Sequence, residues 1–206
     1  TPSGARGATV NGAHFISNPS VVNLVLFNGK DMRTGIQLLP PHDKKLETYE
    51  EFWEQYKAYY EFIVGIQLKF GNIQHDLHRK MMPTLWNSAT TPGCLDKGHD
   101  IEHMGAMYNS TFFGVESTGT VNMVNSLASL KKLVYEDGKY TLDDMRDAIE
   151  NNFGFYLASE IGSYSMSEQV QKPDGAAYDE ILSDCLAAPK YGVGDPYADG
   201  ILREYE

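Results

Sequence analysis

The sequence predicts a helix-rich fold that contains few strands. From Thr48 to about Met82, apolar residues recur every three or four positions, which is the spacing of a helix with one apolar face. The best strand candidate is Met107 to Val115, which has an aromatic and β-favouring composition. The sequence lacks the regular alternation of strands and helices that a doubly wound sheet requires. Hydrophobic residues make up 42% of the 206 residues, which is enough for a packed core.

Local signals predict where the first helices begin and end. Asn18-Pro19 starts a short apolar helix that stops at Asn28-Gly29, because Pro suits a first helical position and Gly a residue beyond the last. The long helix starts at a capping box formed by Thr48 and Glu51, and Pro83 ends it. Its aromatic residues predict a core or helix-contact surface rather than a ligand site; they are Tyr49, Phe52, Trp53, Tyr56, Tyr59 and Tyr60.

Further helices are predicted in the second half of the chain. Thr120 or Asn122 caps a helix that runs to Val134, and Thr141 caps one that ends near Phe153-Gly154. The Ser- and Gly-rich stretch 159–177 predicts a loop. A last internal helix follows at 178–186, and the final six residues have an amphipathic helical pattern. Since the chain has no initiator Met and no stop signal after that pattern, we expect an internal segment of a longer protein.

Charge and cysteine content narrow the classes of function. The net charge of -11 argues against binding nucleic acid or an anionic membrane surface, both of which require clustered Lys and Arg. The two cysteines, Cys94 and Cys185, form no redox or zinc motif and predict reduced thiols. No apolar run is long enough to span a membrane. These features predict a soluble, cytoplasmic protein.

One segment resembles a metal-binding motif. His99, Glu102 and His103 match the H-x-x-E-H pattern of some zinc proteases, which requires both imidazoles on one helical face. Glycines close to both ends leave too short a helix for that geometry, so the sequence predicts no metal site. His75 and His78 are expected to be surface histidines on the long helix.

Three other residues are candidates for binding a substrate. Arg6 lies in a Gly-rich stretch and has the fork of donors that binds carboxylates. His14 lies just before the first helix, where it is either a hydrogen-bonded core residue or functional. Glu116 ends an apolar run, and a carboxylate that points into an apolar interior is often functional. If Glu116 points to solvent, this observation carries no information.

Several ordered motifs together resemble a known family. They are Gly105-Ala106-Met107-Tyr108-Asn109, the stretch 124–134, Tyr140-Thr141-Leu142-Asp143-Asp144-Met145, Ala188-Pro189-Lys190-Tyr191-Gly192 and, upstream, the stretch 18–29 with Arg33-Thr34-Gly35. This succession is similar to the catalytic subunits of the glycyl radical enzymes, the pyruvate formate-lyase-like family. The resemblance extends over almost the whole chain.

The resemblance implies a fold and a set of cofactors and partners. Family members are α/β proteins with a ten-stranded barrel wrapped in helices. The barrel holds a catalytic cysteine on one loop and a radical-bearing glycine on another. Neither loop is recognisable here, so residues 1–206 are expected to be one internal segment of the barrel domain, inactive alone and containing no catalytic residue. A separate S-adenosylmethionine-dependent iron–sulfur enzyme installs the glycyl radical. The implied partners are the remainder of the catalytic subunit, that activating enzyme, a small iron–sulfur subunit and further copies in a homo-oligomer.

The insertion at about 154–177 resembles the arylacetate decarboxylase branch. That branch implies radical loss of CO2 from an arylacetate such as 4-hydroxyphenylacetate. His14 then falls where a histidine holds the substrate carboxylate, and Glu116 where a glutamate meets the phenol hydroxyl. The alternative is radical addition of a hydrocarbon to fumarate, as in benzylsuccinate or alkylsuccinate synthases, with Arg6 binding fumarate. An alternative of another class is a non-catalytic helical scaffold or binding module derived from such an enzyme.

Overall fold

A computed structural model describes residues 13–42, 44–108, 114–162 and 169–205, with only the backbone described at Ala13, His14 and Gly114. The elements are as follows, in chain order: strand β1 (Ala13–Ser17), helices α1 (Asn18–Leu26), α2 (Tyr49–Met81), α3 (Leu85–Thr90) and α4 (Cys94–Lys97), a 3-10 turn (Ile101–His103), strand β2 (Gly114–Thr118), helix α5 (Thr120–Leu130) with a π-helical extension (Lys131–Glu136), helix α6 (Leu142–Glu150), two 3-10 turns (Asn152–Gly154 and Gly175–Tyr178), and helices α7 (Asp179–Ala187) and α8 (Pro196–Tyr205). Among the described residues, no helix is both long and apolar enough to cross a membrane.

The chain forms two compact units. The described parts of Thr1–Ser17 and Tyr60–Thr118 make up unit 1, and Asn18–Tyr59 with Gly119–Glu206 make up unit 2. Helix α2 belongs to both, since its first residues lie in unit 2 and the remainder in unit 1.

Unit 2 contains the larger apolar core. Helix α5 packs against both α1 and α8, and the first turns of α2 contribute side chains with no exposed surface, such as Phe52. Asn18 is fully buried at the start of α1, where its Nδ2 donates to the hydroxyl oxygens of Thr120 and Tyr205, each at 3.1 Å. These two bonds satisfy a buried amide and join α1, α5 and α8.

The predicted helix ends are confirmed in most places. The Thr48–Glu51 capping box forms, since the Glu51 amide donates to Thr48 Oγ1 at 3.2 Å and a Glu51 oxygen accepts from the Thr48 amide at 3.2 Å. After α1 the backbone enters the left-handed region at Asn28 (φ 53°) and Gly29 (φ 81°), as the Asn-Gly stop predicts. Thr141 caps α6 in a full capping box with Asp144.

One predicted helix start is wrong in position. Gly119, not Thr120 or Asn122, is the N-cap of α5, and it supplies no side-chain bond. The Thr120 hydroxyl is occupied because it accepts from Asn18.

The strand predicted at 107–115 is confirmed only at its end. Gly114 and Val115 lie in β2, which continues to Thr118, and residues 109–113 fall outside the described residues. Strand β1 was not predicted, because five residues that run directly into a helix give too short a pattern to recognise.

Candidate functional site

The two strands form a parallel pair in unit 1, and this pair positions two of the candidate residues. The register places His14 opposite Val115 and Phe15 opposite Glu116. The pairing joins positions that lie about a hundred residues apart in the sequence. Adjacent strands and a one-residue offset put the Cα atoms of His14 and Glu116 about 6 Å apart.

The side chains on the two strands have different surroundings. Ile16 is 3% exposed, whereas Phe15 beside it is 59% exposed. Paired residues of neighbouring strands point to the same face, so Glu116 shares its face with the exposed Phe15. The side chain of Glu116 is half-buried, and its carboxylate forms no hydrogen bond or ion pair with a described residue. A carboxylate in this position remains able to accept a hydrogen bond from a ligand.

Hydrogen bonds fix β2 on both sides. The Tyr60 hydroxyl of α2 is hydrogen-bonded to Ser117, and Thr118 Oγ1 donates to the Ile16 carbonyl oxygen at 3.3 Å. Sequence reasoning missed these contacts, because they join segments that are distant in the chain. These two hydrogen bonds fix Ser117 and Thr118, the residues that follow Glu116 on β2.

The remaining candidate, Arg6, lies outside the described residues, and so does any side-chain contact of His14. The structure therefore brings the backbone of His14 and Glu116 together and leaves Arg6 untested.

The H-x-x-E-H segment has a different structure from that of a zinc-protease helix. Ile101–His103 is a single 3-10 turn, and Asp100 caps it by accepting from the Glu102 amide at 2.9 Å. Within the described ranges, no three His, Cys, Asp or Glu side chains converge as a metal ion requires. Ser88 Oγ donates to Asp100 at 2.6 Å and accepts from the Ile101 amide at 2.9 Å, which fastens the turn to α3.

Glu102 is buried in this turn and faces helix α2. It is 6% exposed, and its Oε2 lies 3.7 Å from Nδ1 of His75. Burial raises the pKa of Glu102, and the nearby imidazoles of His75, His78 and His103 lower it less. The interpretation of His75 as a surface residue is wrong, because its side chain is only 16% exposed and lies against this carboxylate.

Both cysteines are held in the thiol form. Burial raises the pKa of Cys94 and of Cys185, which favours the protonated sulfur over the thiolate. Cys94 is buried at the start of α4, and Cys185 lies in α7 beside a cavity of about 300 Å³ in unit 2. A second cleft in unit 2, of about 550 Å³, is lined by Lys30, Lys44 and Arg146 among others. Neither cavity includes a residue of β1 or β2.

Comparison with known proteins identifies the class. Residues 3–205 match the family described as Pyruvate formate lyase-like, and the chain belongs to that family. The helix-rich α/β segment predicted from the sequence is confirmed by a similar fold in a solved structure. That structure concerns 1,2-propanediol dehydration in Roseburia inulinivorans. That likeness has a TM-score of 0.71 and 26% identity over 95% of this chain and 23% of the other.

Several of its sequence relatives are decarboxylases. The chain is 50% identical to the 4-hydroxyphenylacetate decarboxylase glycyl radical subunit of Clostridioides difficile (strain 630), over 98% of this chain and 22% of the relative. It is 34% identical to the indoleacetate decarboxylase of Tractidigestivibacter scatoligenes, over 91% of this chain and 21% of the relative. The chain thus spans about a fifth of the length of the relatives it matches.

Proposed function

We propose that the chain is an internal part of a glycyl radical lyase that removes CO2 from an arylacetate such as 4-hydroxyphenylacetate. The observation that carries the proposal is the 50% identity, over 98% of this chain, to a 4-hydroxyphenylacetate decarboxylase subunit, because the match to a hydroxyproline dehydratase is only 26%. The parallel β1–β2 pair brings the backbones of His14 and Glu116 close together, with the two residues on opposite faces of the pair.

In this proposal the chain binds and orients the substrate and contains no catalytic residue. His14 pairs with the substrate carboxylate. The Glu116 carboxylate accepts a hydrogen bond from the phenol hydroxyl, a charge-assisted bond that is stronger than a neutral one. Each contact fixes one end of the substrate, and a fixed position lowers the entropic cost of reaction.

The radical chemistry belongs to other parts of the protein. A glycyl radical, installed by an S-adenosylmethionine-dependent iron–sulfur enzyme, supplies hydrogen-atom abstraction through a cysteine. Neither Cys94 nor Cys185 stands in a sequence that resembles the family's cysteine loop, so residues 1–206 are proposed to form one internal segment of the barrel domain that lacks both loops. The proposed partners are the rest of the catalytic subunit, the activating enzyme, a small iron–sulfur subunit and further copies of the complex.

The test is a substrate comparison in the complete, activated enzyme. Glu116→Gln keeps the size of the side chain but weakens its acceptor, so kcat/KM for 4-hydroxyphenylacetate should fall about 10- to 100-fold. Turnover of phenylacetate, which has no phenol hydroxyl, should change much less. The exposed Glu61→Gln is the matched control and should leave both substrates unaffected.

Three outcomes contradict parts of the proposal. Equal loss with both substrates removes Glu116 from phenol recognition. Unchanged KM for both substrates in His14→Gln removes His14 from carboxylate binding. Turnover that requires fumarate and is impaired by Arg6→Lys, which cannot reproduce the guanidinium fork, favours hydrocarbon addition to fumarate instead.

A further inference from the structure

The second half of α2 has an exposed apolar surface along one side. Six side chains, each separated from the next by three or four residues, form this surface, which we term the apolar stripe. They are Phe62 (50% exposed), Ile66 (50%), Phe70 (56%), Ile73 (59%), Leu77 (50%) and Met81 (73%). Steps of three and four residues keep the side chains on the same side of a helix, so the stripe is continuous.

The other side of the same half-helix is less exposed and mostly polar, with Val64 as a partly buried apolar residue. Gly71 is buried, and Gln67, Gln74, His75 and His78 are partly buried. His75 reaches the buried Glu102, which shows that this side contacts the remainder of unit 1. A helix at the surface of a soluble protein has the opposite arrangement, with polar residues outward and apolar residues inward. An apolar side that faces outward in this way marks a candidate interaction surface.

The dimensions of the stripe fit a helix. From Phe62 to Met81 it extends about 29 Å at 1.5 Å per residue. Its exposed apolar area is on the order of 500 Å², a size that marks an interaction surface on soluble proteins. Side chains with helical spacing can interlock with the ridges of another helix.

We propose that the apolar stripe is the docking face for an amphipathic helix from the part of the same polypeptide that lies outside these 206 residues. The relatives provide such a part, because this chain covers only 22% of the 4-hydroxyphenylacetate decarboxylase subunit. Lys69 and Lys80 border the stripe and form no ion pair with a described residue. We therefore expect acidic residues at the edges of the docked helix. The proposal does not depend on the substrate.

The experiment measures thiol accessibility in the complete catalytic chain. Ile73→Cys and Leu77→Cys report on the stripe, and Asn72→Cys on a polar, exposed position of the same helix. Each purified variant is treated with an alkylating reagent under native conditions and again in denaturant, and peptide mass spectrometry follows the labelling of the introduced cysteine only. The measurement is made on the isolated catalytic chain, without accessory subunits, over a range of protein concentrations.

The expected result is that labelling at positions 73 and 77 is at least about 100-fold slower in native than in denatured protein, whereas position 72 is labelled rapidly in both. The protection should not change with protein concentration. Rapid native labelling of positions 73 and 77 would overturn the proposal. Protection that disappears on dilution would assign the stripe to a second copy, and protection that appears only after an iron–sulfur subunit is added would assign it to that subunit; either result also overturns the proposal.

Discussion

The two halves of helix α2 have similar apolar periodicity but opposite exposure. In the first half, Phe52 and Tyr56 are 0% and 1% exposed and pack in the core of unit 2. In the second half, Ile73 and Met81 are 59% and 73% exposed, and polar residues face the fold. Periodicity alone therefore identifies an apolar side but not the partner that covers it.

The difference between the halves also affects their expected stability. The first half is held by specific contacts, such as the parallel stacking of Trp53 on Tyr56 with ring centroids 5.2 Å apart. The second half is held by a polar network around a buried carboxylate, which costs desolvation free energy. Covering the apolar stripe would supply the hydrophobic stabilisation that this network does not.

The largest expected effect is in the first half. In the complete protein, Phe52→Ala should lower the free energy of unfolding by about 3–5 kcal/mol, because it leaves a cavity in a fully buried site. Lys57→Ala on the exposed side is the control and should cost no more than about 1 kcal/mol. Urea titration followed by circular dichroism gives both values. A small effect of Phe52→Ala would show that this half is not the packed one.

The next largest effect tests whether the apolar stripe in the second half of α2 is buried in the complete protein, as the apolar side of the first half is. Leu77→Ala in the complete protein should cost about 2–4 kcal/mol if the apolar stripe is buried. At an exposed surface the same change costs within about 0.5 kcal/mol, and Asn72→Ala sets that reference. Parallel urea titrations of the two variants decide the question, and equal midpoints would mean that the stripe remains in water.

A smaller effect is expected from a single polar contact in the first half. The Tyr56 hydroxyl donates to Met123 Sδ at 2.8 Å, and both side chains are buried. Tyr56→Phe keeps the ring and its stacking on Trp53, so the loss should be about 1 kcal/mol. A thermal melt compared with wild type measures it. A loss of stability as large as that of Phe52→Ala would show that the Tyr56 hydroxyl stabilises the fold by more than this one hydrogen bond.

The smallest effect concerns pH and the second half. Since burial raises the pKa of Glu102 above its ordinary value, the folded state holds this proton more tightly than the unfolded state does. The contribution of this bound proton to the free energy of unfolding is fully present below the ordinary Glu pKa of about 4.3. It is lost as pH rises through the higher pKa of Glu102 in the folded state. Glu102→Gln should remove this part of the pH dependence, whereas the exposed Glu61→Gln should keep it. Unfolding free energies measured from pH 4 to pH 7 test this, and unchanged profiles in Glu102→Gln would contradict it.

Local sequence signals were sufficient for most of the helices. The Thr48 and Thr141 caps, the Asn28-Gly29 stop and the long period of α2 each depend on residues within a turn or two of one another. Such signals act before any tertiary contact forms, and they are readable without a structure. The Gly119 cap shows the limit, because the hydroxyl of Thr120 bonds to Asn18 instead of capping its own helix.

The candidate site was only partly predictable. His14 and Glu116 were identified from residue type and from resemblance to the family, but their placement on paired strands was not. Strand pairing depends on a register between segments about a hundred residues apart, and a shift by one residue changes which side chains share a face. The contact of His75 with Glu102 likewise joins two separate segments, and no sequence pattern in either segment predicts the other as its partner.

The sequence by itself determined the family, the helices and the types of residue available for binding a substrate, because these follow from short-range patterns and from residue identity. The tertiary structure alone decided that Glu116 shares a face with Phe15, that His75 is turned inward and that the second half of α2 presents its apolar side outward. The physical reason is that burial and pairing are properties of two surfaces in contact, and one segment of sequence describes only one of them.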